Sequence, residues 1–190
     1  MAQKATIGGA GGYMDFIKIS EDLKLSIIDG FDFEDENYLQ WFNNPYVCRF
    51  NSHHTIPVTD MESKRKPDIL LKIDYREGGS LHYKWIGNVA LDKIDYINSN
   101  AELSIIIGEP GVYGKGIGFK VCKAMVEHGF NSLNLHKIYL GTSIDNIGMR
   151  NIATKLSFKI EGERTDAMFK NGRYVDVIEY GLLRSEYLGK

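Results

Sequence analysis

The sequence predicts an α/β domain built on a mixed sheet, and three observations carry that prediction. Short β-branched runs alternate with stretches of helical periodicity, a glycine-rich loop joins the strongest strand signal to a helix, and an Asn-Gly pair divides the last two strands. A chain of 190 residues is the length of one ordinary domain.

The elements follow in chain order. Residues 23–29 (LKLSIID) are apolar and β-branched, are closed by Gly30, and read as a strand. Residues 34–43 (EDENYLQWFN) read as a helix: acidic residues fill the first turn, Leu39 and Phe42 share a face, and Pro45 stops the run. Residues 46–60 read as a helical turn and loop. Residues 69–75 and 85–94 are strands joined as a hairpin across Gly78-Gly79. Residues 102–107 (ELSIII) are the strongest strand signal. The loop GEPGVYGKGIG follows, after which Val121, Cys122, Met125 and Val126 recur at helical spacing across residues 117–131. Residues 137–141 (KIYLG) form a further strand. Asp145 and Asn146 can cap a helix in which Met149, Ile152, Ala153 and Leu156 repeat at i, i+3, i+4 and i+7. Residues 159–169 and 173–183 form a long hairpin turned by Asn171-Gly172.

Composition narrows the function. With 23 Lys and Arg against 25 Asp and Glu, the net charge of −2 creates no field to attract nucleic acid. No apolar run approaches the ~20 residues of a membrane span. Cys48 and Cys122 stand alone, without the spacing of a disulfide framework or a metal site, and two isolated thiols fit a reducing cytoplasm. Residues 1–13, with four glycines between positions 8 and 12, read as a flexible tail, either native or added ahead of a start at Met14, leaving 14–190 as the domain.

Spacing decides what the glycine loop holds. A Walker loop requires GxxxxGK[ST], but Gly116 is followed by Ile117-Gly118, so the lysine and the hydroxyl are missing. A dinucleotide fingerprint requires GxGxxG, whereas Gly114, Gly116 and Gly118 form GxGxG. What remains is a loop of small residues opening a helix, whose free N–H groups and dipole favour a pyrophosphate.

YGKGIG, residues 113–118, resembles the [QR]xxGx[GA] coenzyme A loop of the GNAT acetyltransferase superfamily. ELSIII before it, KIYLGT after the helix, DNIGMRNIATKLSF resembling the family's NxxSxxxxxKxGF helix, and the final NGRYVDVIEYGLL hairpin occur in the family's order. The resemblance covers residues 31–183 and is closest to the ribosomal-protein-type (Rim-like) branch. It implies a mostly antiparallel sheet with a splayed cleft, acetyl-CoA as co-substrate, no metal, and a monomer or homodimer acting on a small-molecule amine. By the same resemblance Ser104, Ile105, Ile106 and Ile107 pair with the pantetheine arm, and an N–H near Ile106 faces the developing oxyanion. Tyr113, Gly114, Lys115, Gly116, Ile117 and Gly118 cradle the phosphates, with Asn146 and Met149 also at the coenzyme. The chain departs from the pattern at Tyr113, Met149 and Ser157, and Ala153 stands where many relatives carry the tyrosine that protonates the departing thiolate.

The acceptor amine attacks the thioester directly in such an enzyme, so a base is required. Strand alternation puts Glu102, Ser104 and Ile106 on one face, which makes Glu102 the expected general base. By the same resemblance the segment CRFNSHHTIP walls the acceptor pocket and supplies Asn51, Ser52, His53 and His54 as candidates, joined by Asp176 on the last strand, and WFNNPYVCRFNSHHTIP looks more like relatives of surface-polysaccharide and amino-sugar pathways than like the enzymes acting on ribosomal proteins. A polar pocket of this kind suits an amino sugar, nucleotide-linked, ahead of a protein or peptide α-amine. A catalytically silent coenzyme-binding module is the rival from another class.

Overall fold

The structure, a computed structural model, describes residues 15–28, 36–51, 57–58 and 67–189. The elements are β1 (Asp15–Ser20), β2 (Leu23–Ile27), α1 (Glu36–Asn43), β3 (Ile69–Tyr75), β4 (Lys84–Asp95), β5 (Asn100–Ile107), α2 (Ile117–Asn131), β6 (Lys137–Ser143), α3 (Ile147–Lys155), β7 (Lys159–Lys170), β8 (Arg173–Leu183) and α4 (Arg184–Leu188). The described strands form one sheet in the order β1-β2-β3-β4-β5-β6-β8-β7. Neighbours are antiparallel except β5 and β6, which run parallel.

Sequence periodicity accounts for most of these elements. The repeat of Val121, Cys122, Met125 and Val126 is the buried stripe of α2, and all four side chains lie in the main core. Asn171 and Gly172 both take left-handed φ angles, 51° and 79°, as a two-residue hairpin turn requires. Two elements are not foreseen. β1 is a short alternating run that holds its place by pairing with β2, and α4 is a single turn after the last strand.

The two faces of the sheet differ. On one, α2 and α3 bury Leu25, Ile73, Leu91, Ile138 and Leu182 together with Met125 and Phe130. Each fully buried side chain of this size contributes roughly 1.5–3 kcal/mol. On the other, α1 places Tyr38, Trp41 and Phe42 over Trp85 and Ile106. Trp41 lies against Gly108, where a β-carbon would meet its ring at 2.0 Å.

Candidate active site

The sheet opens in its middle. β5 and β6 are in register over only three rungs, Asn100 with Lys137, Ala101 with Ile138 and Glu102 with Tyr139. Among the described residues no strand pairs with 103–107 on that side, so the last part of β5 presents a free edge. Gly108 donates its N–H to the Ile86 carbonyl at 2.8 Å, which makes 108/86 a hydrogen-bonded pair of the antiparallel ladder. By alternation 106/88 is another, so Ile106 directs its N–H and C=O at β4, while Ile105 and Ile107 direct theirs into the gap. The cleft-facing N–H expected near Ile106 therefore belongs to its neighbours.

The free edge leads into the glycine loop. Gly114 and Gly116 take φ angles of 79° and 76°, and a β-carbon at either would meet nothing within 4 Å. Gly116 is the N-cap of α2 and no side chain caps it. The first N–H to bond back is that of Lys120, to the Gly116 carbonyl at 3.2 Å, so the donors of Ile117, Gly118 and Phe119 precede the helical ladder. An open, positively polarised concavity of this kind fits a pyrophosphate. Ile117 is buried in the core and fixes the helix start, and Gly118 lets Ile152 approach to 3.1 Å from a would-be β-carbon.

Side chains brace the loop from two directions. Tyr113 donates its hydroxyl to the Ile107 carbonyl at 2.8 Å, and burial pushes its phenol above the ordinary value, with Arg49 opposing. Its ring stacks on Tyr46, at 6.2 Å between centroids and 18° between planes. Lys115 reaches away from the loop to Glu77, at 2.6 Å, and ties it to the β3–β4 turn.

Asn146 is a helix cap. Its carbonyl oxygen accepts from the Met149 N–H at 3.1 Å, and its amide donates to Thr142 Oγ1 at 3.1 Å. Met149 packs its side chain against the main core. Ala153 is fully buried in that core, so its position offers neither a hydroxyl nor an opening to the cleft.

Glu102 occupies the last rung before β5 and β6 part. Ala101 and Leu103 turn into the core and Ser104 is exposed on the opposite face, in keeping with the alternation read from the sequence. The Glu102 carboxylate pairs with Lys93 Nζ at 2.6 Å, and the side chains are 28% and 55% exposed. Lys93 takes a left-handed φ of 54° where β4 turns irregular, and its own N–H bonds Asp92 Oδ1. Asp92 lies directly across from Glu102. The hydrogen bond and charge of Glu102 raise the Lys93 pKa above the usual lysine value, with Asp92 adding the smallest push.

The acceptor candidates divide. Ser52, His53 and His54 lie outside the described residues. The Asn51 carbonyl accepts from Lys170 Nζ at 2.6 Å, joining its turn to the β7–β8 hairpin. Asp176 does not join it. It alternates with Ile178 and Tyr180, on the face of the α2 core, and its carboxylate accepts from the Asp166 N–H at 2.8 Å where β7 is irregular. Val175 and Val177 hold the opposite face, and Val175 lines a cavity of about 170 Å³ shared with Arg49, Lys170 and Arg173. The sequence reading misses Arg49, although the aromatic residues around it are a signal. Its guanidinium lies 4.2 Å from the Tyr46 ring centroid, 4.7 Å from that of Phe50 and 5.4 Å from that of Tyr113. A larger groove, about 690 Å³, runs between β1 and α2, and none of the predicted site residues lines it.

Residues 27–159 match the family described as Acetyltransferase (GNAT) domain. The chain belongs to this family. It is 36% identical over 150 residues to spermidine N(1)-acetyltransferase of Escherichia coli (strain K12), covering 79% of this chain and 75% of that protein. It is 38% identical over 105 residues to spermidine N(1)-acetyltransferase of Vibrio cholerae serotype O1, covering 55% of this chain and 60% of that protein. The crystal structure of the V. cholerae spermidine N-acetyltransferase in complex with CoA and spermine aligns with a TM-score of 0.75 at 26% identity, over 89% of this chain and 99% of that one. The chain is thus an acetyl-CoA-dependent N-acetyltransferase, and the free β5 edge and open α2 terminus fit that co-substrate. Among the described residues no group of three or more His, Cys, Asp or Glu could hold a metal ion, and no helix is long and apolar enough to cross a membrane.

Proposed function

We propose that the cleft moves an acetyl group from acetyl-CoA to the primary amine of a small molecule, with Glu102 accepting the amine proton. The observation that carries this reading is the free edge of β5 running into the uncapped N-terminus of α2. Ile105 and Ile107 pair with the pantetheine arm through the groups they direct into the gap. The N–H groups at the start of α2 take the pyrophosphate. One cleft-facing N–H stabilises the negative charge that develops on the thioester oxygen.

Glu102 lies three residues from Ile105 and five from Ile107, about 10–17 Å along the strand, so the proton reaches it through a chain of waters. The acid role is left to solvent, because Ala153 has no proton to give. A thiolate whose conjugate acid has a pKa near ~8.5 departs at neutral pH without a dedicated donor.

Two acceptor classes have support. The spermidine acetyltransferases among the relatives support a polyamine, as does the acidic run from Asp29 to Glu36, with five carboxylates in eight residues, which ends on the first residue of α1. The polar turn at Asn51 supports an amino sugar, nucleotide-linked. A coupled thiol-release screen across polyamines, nucleotide-sugar amines and N-terminal peptides tests the assignment. The expected result is turnover with small-molecule amines. A higher kcat/KM for peptides than for every small amine would overturn the small-molecule reading and leave acetyl transfer in place.

A further inference from the structure

Glu102 and Tyr139 form the last rung before β5 and β6 part. Ile138 and Leu140 fill the core beneath α2, which turns Tyr139 to the opposite face, and Ala101 and Leu103 do the same for Glu102. The carboxylate and the phenol therefore stand side by side on adjacent strands, whose backbones are about 4.8 Å apart, where the opening begins. Both side chains are half-buried, so water reaches them.

Each of the two has an open polar atom. Lys93 holds Glu102 through Oε2 at 2.6 Å, and no described residue donates to Oε1. The Tyr139 hydroxyl makes no hydrogen bond with any described residue. Around the phenol stand Glu102 on β5, Lys93 and Asp92 on β4, and Glu179 on β8, and of these carboxylates Glu102 bears on it most. Glu179 is engaged by Arg164 at 2.6 Å. Gly181, level with Tyr139 on β8, lies under the Glu161 carboxylate, which Lys137 engages at 2.7 Å. Burial first, and the charge of Glu102 second, push the phenol above its ordinary value, so it stays protonated at neutral pH.

A protonated phenol has one O–H to donate and lone pairs to accept with, so it passes a proton on while receiving another. On the reading of Glu102 as the proton acceptor, we infer that Tyr139 is a positioning residue for that base: its hydroxyl donates to Glu102 Oε1 and accepts from the last water of the chain leading to the amine. As the amine nitrogen bonds the thioester carbon and the C–S bond breaks, the amine proton enters the water chain. The last water then protonates the phenol oxygen, and the phenol proton moves to Oε1. The phenol ends as it began, the carboxylate ends protonated until it returns the proton to solvent, and the thiolate is protonated from solvent. Water alone would leave the Oε1 end of the chain unfixed, whereas a hydroxyl set by β6 orients it.

The test compares Tyr139→Phe, which keeps the ring and removes the hydroxyl, with Glu102→Gln and the double variant, in the full chain with spermidine and with glucosamine as acceptors. At pH 7 kcat should fall tenfold or more in Tyr139→Phe, with the KM for acetyl-CoA changed less than twofold. In the Glu102→Gln background the same substitution should lower kcat less than twofold, because the link has no role without its base. A packing role would repeat its full loss there. A kcat within twofold of the unaltered enzyme, or a full loss repeated in the double variant, overturns the inference and leaves Glu102 as the base. Undiminished activity in Glu102→Gln overturns both. Absence of thiol release with either acceptor and with every amine of the wider screen would defeat the acetyltransferase reading, and the proton path with it.

Discussion

The proposed coenzyme side of the cleft is built of backbone N–H and C=O groups of β5, the 113–118 loop and the first turn of α2, whereas the proposed acceptor side carries charged heads on long side chains, Glu102 above all. Backbone groups are placed by the fold and are indifferent to most substitutions. The coenzyme wall therefore keeps its geometry although Tyr113, Met149 and Ser157 depart from the family pattern. Side-chain groups are replaceable one at a time, so the acceptor wall can change its specificity without disturbing the sheet. The contrast predicts that single changes on the acceptor wall alter rate or selectivity, and that only changes reaching the backbone path harm coenzyme binding.

The largest expected effect tests the acceptor wall. Glu102→Gln is nearly isosteric and cannot accept a proton, so the acetyl-transfer rate at pH 7 should fall ~10²- to 10⁴-fold with coenzyme affinity unchanged. The ion pair lost with Lys93 is exposed and adds little to stability. Rising pH should restore part of the rate. The neutral fraction of an amine with a pKa of ~10.4 grows about tenfold per pH unit below that value, and a neutral amine attacks without a base to deprotonate it first, its remaining proton leaving to the thiolate or solvent. Full activity of the variant at pH 7 would remove Glu102 from the mechanism.

Gly116→Val tests the coenzyme wall. The branched side chain would fill the concavity and also sit at a φ of 76°, where a β-branched residue is strained. Coenzyme affinity should fall more than tenfold, over ~1.4 kcal/mol, in a calorimetric titration. Unchanged affinity in a folded variant would mean that the pyrophosphate does not lie in this loop. Tyr113→Phe is the milder counterpart. It removes one hydrogen bond to Ile107, worth about 1 kcal/mol, so affinity should drop about fivefold while kcat stays within twofold. A larger fall in kcat than in affinity would make the Tyr113 hydroxyl a participant in the chemistry.

The same contrast explains what the sequence discloses. The bounds of α2, residues 117–131, follow from glycine spacing and periodicity, which are local properties. So does the hairpin at Asn171-Gly172. Side-chain alternation correctly puts Glu102, Ser104 and Ile106 on one face, but which N–H enters the cleft depends on which neighbour β5 pairs with, and that is set by β4. β1 is obscured by the glycine-rich stretch before it, since its pairing with β2 is tertiary information. The cavity beside Arg49 is assembled from residues near 49, 143–145 and 168–175, and only the run Lys170 to Arg173 hints at it locally.

Ser157 offers the smallest effect and the sharpest separation of structure from chemistry on the coenzyme wall. The end of α3 is a Schellman motif: the Ser157 N–H bonds the Thr154 carbonyl at 3.0 Å and the Phe158 N–H bonds the Ala153 carbonyl at 2.9 Å. Ser157 thus holds the position where glycine is usual, at a φ of 70°. An L-residue in that conformation costs roughly 1–2 kcal/mol, and the extra unfolded-state freedom of glycine takes back part of the difference. Ser157→Gly should therefore stabilise the fold by about 1 kcal/mol, a rise of about 2–4 °C in Tm for a domain of this size. Acetyl transfer should be unchanged, because the substitution leaves β5, the glycine loop and Glu102 untouched. A gain in stability accompanied by altered kcat/KM would tie the end of α3 to the cleft, and the contrast between a backbone-built and a side-chain-built wall would then have to include it.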